Sequence, residues 1–154
     1  MSKKLALCLA LGLILVISAW APAGAQTPDE AKALVKQALA MAKDKGVEAT
    51  LKAIADPKGP FAKGDLYIWA GSLEKVVMVA HPYKPKLVNK DLTLFKDVKG
   101  KQFFNEFVEV AKKKGSGWVD YYWPKPGGKQ PVPKTSYVEA VPGQKLYFGC
   151  GVYK

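Results

Sequence analysis

Between Gly117 and Tyr153 the sequence runs three times through one pattern, an aromatic and β-branched stretch closed by a Pro/Gly turn. The stretches are Gly117 to Trp123, Pro133 to Val141 and Lys145 to Tyr153. Lys125-Pro126-Gly127 breaks the first from the second, and Val141-Pro142-Gly143-Gln144 sets Pro and Gly at the centre of a type II turn before the third. Strands joined by turns this short run antiparallel, because a parallel return needs a crossover of a dozen or more residues. This end of the chain therefore closes as an antiparallel sheet.

The preceding residues supply helices and one more hairpin. Thr27-Pro28-Asp29-Glu30 has the composition of a capping box with Thr27 as N-cap and Pro28 at the first helical position. Ala31, Leu34, Val35, Ala38, Met41 and Ala42 then follow helical spacing, and Val47, Leu51 and Ile54 resume it after Gly46. The spacing predicts a long helix broken or bent near Gly46 and ended by Asp56-Pro57. Leu66 to Ala70 and Val76 to Ala80 predict a hairpin across Gly71 to Glu74. His81 to Lys101 shows no period and is expected to be a long functional loop. Phe103, Phe104, Phe107, Val108 and Ala111 mark a second amphipathic helix that stops at Gly115. Two helices and about five antiparallel strands make an α+β domain.

Residues 1–25 are set apart from that fold. Lys3 and Lys4, the apolar run Leu5 to Trp20 and Ala23-Gly24-Ala25 follow the order of a secretory signal peptide, with cleavage expected after Ala25. Cys8 sits inside the apolar run, where a lipid-anchor cysteine is not found. The expected mature chain, 26–154, is one domain of 129 residues in the periplasm or outside the cell. It keeps 22 lysines, no arginine and 13 acids, a formal charge of +9. Lysines spread over every segment of an exported chain point to a solvated surface with some attraction to anionic envelope polymers or lipids, and away from nucleic acid. Lys112-Lys113-Lys114 falls in the last turn of the second helix, where cations suit the helix dipole.

Only Cys150 survives processing, so no intrachain disulfide forms, and its place between Gly149 and Gly151 in an apolar strand predicts a buried, unreactive thiol. His81 is the one histidine and has no metal-ligand spacing around it; no metal or cofactor is expected. An enzyme finds little support, since nucleophilic catalysis would fall to that histidine and Asp120 is the lone carboxylate of the aromatic segment.

The order of elements resembles the single Cache domain, a PAS-like extracellular sensor module of bacterial chemoreceptors and histidine kinases. The residues that carry the resemblance are His81-Pro82, Leu87 to Leu92, Gly117-Trp118-Val119-Asp120-Tyr121-Tyr122-Trp123-Pro124-Lys125-Pro126-Gly127, Lys134-Thr-Ser-Tyr137-Val138 and Gly149-Cys-Gly-Val-Tyr153. The resemblance implies a PAS-like sheet and a pocket on one of its faces for small metabolites, often short-chain carboxylates, bound without chemistry. Receptor members carry a second membrane helix and an output domain that do not follow here, so signalling is expected to pass through a separate membrane receptor or kinase. The competing expectation is an envelope interaction module without a ligand.

A small anion in a dry pocket needs donors, because a buried charge without partners is costly. Lys134 supplies the charge, Tyr121 and Tyr137 supply hydroxyls, and Trp118 and Trp123 supply apolar walls with indole N–H groups. His81 stands where it would line the mouth. Strand alternation separates Tyr121 and Trp123 from Trp118 and Tyr122, and the resemblance favours the first pair.

Overall fold

In the computed structural model, which describes residues 26–154, the elements run α1 (Pro28–Lys45), α2 (Val47–Ala55), β1 (Ala62–Lys63), β2 (Leu66–Ser72), β3 (Met78–Ala80), α3 (Phe103–Lys114), β4 (Ser116–Pro124), β5 (Pro131–Ala140) and β6 (Leu146–Tyr153), with a short 3-10 turn at Pro85–Leu87. The sheet has the order β1-β2-β6-β5-β4, β3 pairs with β2, and every pairing is antiparallel. The expected leader, 1–25, lies outside the described residues.

Local chemistry explains the helix ends. Thr27 Oγ1 accepts from Glu30 N at 3.3 Å while Thr27 N donates to Glu30 Oε2 at 2.7 Å, so the expected capping box closes. Gly46 adopts φ 88°, a conformation that side-chain-bearing residues avoid, and this separates α1 from α2. Gly143 at φ 69° and the bond from Gln144 N to Val141 O at 3.1 Å close the turn between β5 and β6.

Alternation along the strands divides the core in two. On one face Ile68, Ala70, Tyr137, Phe148, Cys150 and Val152 pack against Ala31, Leu34, Val35 and Ala38 of α1. On the other, Tyr67, Trp69, Val119, Tyr121, Trp123 and Val138 pack against Phe103, Phe104 and Phe107 of α3. The α+β expectation holds, with two corrections of extent: Ala62–Lys63 adds a sixth strand, and the second hairpin arm begins at Met78, with a register shift at Ala70/Gly71. The expected break at Gly46 divides the first helical run into α1 and α2. Cys150 is fully buried, and burial pushes its thiol up to about 12.

Two glycines of β6 shape the α3 face. A methyl group on Gly149 would lie 2.4 Å from Trp69 Cζ2, and one on Gly151 would lie 2.1 Å from Ser136 Oγ and 2.7 Å from Lys134 Cε. Without side chains at these positions, Trp69 and Lys134 lie flat across β6 instead of standing away from it. Gly151→Ala is expected to destabilise the fold by roughly 1–3 kcal/mol through overpacking, read as a lower urea midpoint. An unchanged midpoint would show that Lys134 does not cross β6 here.

Candidate ligand site

Strand register assembles the polar centre of the α3 face. Tyr121 of β4 stands opposite Lys134 of β5, and Lys134 opposite Tyr153 of β6. Lys134 is 1 % exposed and runs across Gly151 toward Tyr67 of β2. Its Nζ donates to Tyr67 Oη at 2.9 Å and to Tyr153 Oη at 3.3 Å, and it lies 4.1 Å and 4.5 Å from the centroids of those two rings. Tyr153 Oη in turn donates to Pro124 O at 2.9 Å. Tyr121 and Ser136 share a buried hydroxyl contact of 2.9 Å beside them.

This ammonium has hydroxyls and ring faces around it but no counter-ion. Among the described residues no carboxylate comes within ion-pairing distance of Nζ, and Asp65, whose charge reaches the site, is held by Lys125 at 2.9 Å. Burial therefore dominates, and it lowers the Lys134 ammonium from 10.5 to about 7. The same burial raises the Tyr67 and Tyr121 hydroxyls, which stay neutral donors and acceptors at any physiological pH.

His81 closes the neighbouring corner. Its ring centroid is 5.1 Å from that of Tyr67, and its Nδ1 accepts from the backbone N–H groups of Tyr83 at 3.0 Å and Lys84 at 3.1 Å. These bonds put the imidazole proton on Nε2. Burial first, then the charges of Lys134 and Lys84, lowers the histidine to about 3, so the ring remains neutral. Between His81, Tyr67, Trp69, Tyr121, Trp123 and the phenyl rings of α3 lies a cavity of about 10 Å³. That is at the lower limit for one water molecule, so a larger guest requires the aromatic lining to part.

Four of the six residues expected from sequence meet around this centre: Lys134, Tyr121, Trp123 and His81. Tyr137 and Trp118 do not. Tyr137 is three residues from Lys134 on the same strand and so points to the α1 face, where its hydroxyl donates to Glu139 Oε2 at 2.8 Å. Trp118 is its cross-strand partner, 41 % exposed, with ring centroids 5.4 Å apart. Parity along β5 already carried that information for Tyr137. Sequence reasoning did not place Tyr67, Ser136 or Tyr153 among the site residues. The usable signals were the alternation of Tyr67 and Trp69 with Ile68 and Ala70, and the Gly149-x-Gly151 pair that marks a flat patch on one strand face.

The model of the single Cache domain 2 family matches residues 3–154. The chain belongs to the single Cache domain family. Its fold is shared with solved sensor domains. One described as the periplasmic sensor domain of a chemotaxis protein is 37% identical, with TM-score 0.65 over 81% of this chain and 88% of that one. A second, described as a Cache chemosensory domain that recognises carboxylic acid, is 35% identical, with TM-score 0.64 over 81% and 86%. A chemotaxis protein of Vibrio parahaemolyticus shares the fold at 24% identity and TM-score 0.69, over 81% and 86%. The methyl-accepting chemotaxis protein McpP of Pseudomonas putida is 42% identical over 89 residues, 58% of this chain. The match spans 16% of that receptor's length. Among the described residues of this Cache domain no helix is long and apolar enough to cross a membrane.

The buried ammonium has a measurable signature. Between pH 7 and 10.5 the unfolded chain holds a proton that folded Lys134 has released, so this group makes stability rise with pH across that window. Lys134→Met removes the slope. The variant is expected to exceed wild type by on the order of 5 kcal/mol at pH 6, with the gap closing toward pH 10, in urea unfolding curves. Parallel curves for the two proteins would place Lys134 in solvent.

Proposed function

We propose that this Cache domain binds a small carboxylate at Lys134 and acts as an exported sensor whose signal passes to a separate membrane receptor or kinase. The observation that carries the reading is the fully buried ammonium with no carboxylate partner among the described residues. A bound carboxylate supplies the missing charge, and the Tyr67 and Tyr121 hydroxyls, with Nε2–H of His81, are the neighbouring donors able to hold its oxygens. Trp69, Trp123 and the α3 phenyl rings bound a cavity of only about 10 Å³, so they admit a short apolar tail by parting and exclude a long one. The relative described as recognising carboxylic acid supports the ligand class, and the chemotaxis relatives support the signalling role. An exported location draws on the leader-like residues 1–25 and on the periplasmic relative.

An interaction module without a ligand draws on one observation, the small volume of the cavity. The two readings part in a thermal-shift screen of acetate, propionate, lactate and pyruvate. A ligand at a hundred times its Kd stabilises the native state by about 2.7 kcal/mol, a rise of several degrees for a domain of this size. The anion pairs with the protonated lysine, and the free protein loses that proton above about pH 7. Affinity is therefore expected to fall about tenfold per pH unit from 7 to 9, and Lys134→Met is expected to show no shift with any of the acids. Absence of a shift in wild type with all four acids would leave the interaction module as the better account. Affinity that stays flat with pH would remove Lys134 from the site.

A further inference from the structure

Outside the aromatic centre, and separated from it by Trp123, lies a larger hollow of about 650 Å³. Its walls come from the loop after β3 and from the end of β4. Leu87, Phe95, Val98 and Trp123 make it apolar, and Lys84, Lys86 and Lys96 stand along it. Val98 is 61 % exposed and Phe95 36 %, an unusual exposure for such residues beside a ready concavity.

The hollow is preformed. Asn89 N donates to Met78 O at 2.9 Å and Leu92 N to Val76 O at 2.9 Å, which ties the loop to the hairpin at Asn89 and at the buried Leu92. Asn105 Nδ2 donates to Thr93 O at 2.7 Å and fastens the loop to α3. A site built this way pays little ordering entropy on binding.

Its charge has one sign. Asp97 is the only acid of the lining, and its carboxylate is occupied by the backbone N–H groups of Lys99, Lys101 and Tyr122 at 2.9 to 3.0 Å. Lys84, Lys86 and Lys96 have no carboxylate within ion-pairing distance among the described residues. An apolar hollow of this size, rimmed by free ammonium groups, complements a molecule with one anionic head and an apolar body too large for the inner cavity.

We propose that the hollow between the β3–α3 loop and the end of β4 is a second binding site, for a medium-chain or aromatic carboxylate. The site stands whether or not the inner centre binds a short acid. The anion sits among Lys84, Lys86 and Lys96, and the apolar body lies against Leu87, Phe95, Val98 and the outer side of Trp123.

Calorimetry with octanoate, below its micelle concentration, tests this on the full chain expressed with its own leader and purified as the cell processes it. Saturable one-to-one binding is expected, weakened at least tenfold by Val98→Glu and by the pair Lys84→Gln and Lys86→Gln. Octylammonium, with the same tail and the opposite charge, is expected not to bind. Lys134→Met and excess acetate are expected to leave octanoate binding unchanged, which separates this site from the inner one. Val98 is exposed, so the glutamate variant folds, and circular dichroism verifies it. Octanoate that fails to saturate, octylammonium that binds as well, or full affinity in Val98→Glu would each overturn the proposal. Sedimentation with phosphatidylglycerol vesicles, lost in Val98→Glu while octanoate does not bind, would overturn it in favour of a membrane contact.

Discussion

An ammonium group taken out of water costs several kcal/mol unless charge or well-placed acceptors replace its hydration. Lys134 receives two tyrosine hydroxyls and two ring faces, which offset part of that cost and leave the positive charge unneutralised. Much of the α3 face is arranged around this compromise. Gly151 gives up its side chain so that the lysine stem can cross β6, Tyr67 and Tyr153 turn their hydroxyls inward, and Asp65 is kept on Lys125 outside. A group held between charged and neutral near pH 7 responds strongly to an incoming anion.

The two faces of the sheet divide the work. The α1 face is mostly aliphatic, and Tyr137 and Lys36 both pair with Glu139 at its edge. The α3 face is aromatic, carries the buried His81, Lys134 and Ser136, and is covered by a helix that begins right after the irregular loop. Membership of the Cache family agrees with that asymmetry, since the family's solved relatives are sensor domains.

Local signals in the sequence were reliable where the physics is local. The capping box at Thr27, the break at Gly46, the turn at Pro142-Gly143 and the burial of Cys150 all depend on neighbouring residues, and all are present. The site was legible only in part because it depends on pairing between distant strands. Lys134, Tyr121 and Trp123 share a hairpin and could be grouped by alternation. Tyr67 is 67 residues away from Lys134 and enters through the β2–β6 pairing, which no local pattern announces. Tyr137 was grouped with Lys134 as a hydroxyl donor, although their odd separation on one strand sends them to opposite faces.

The account rests on the state of one nitrogen, and NMR can read it directly. Selective labelling of lysine side chains, with the Lys134 signal assigned by its loss in Lys134→Met, gives the titration midpoint of Nζ in the free and liganded protein. The account predicts a midpoint near 7 in the free protein, rising by two units or more, on the order of 3 kcal/mol, when propionate saturates the site. A midpoint near the ordinary lysine value of 10.5 in the free protein, or one that propionate leaves in place, would contradict it.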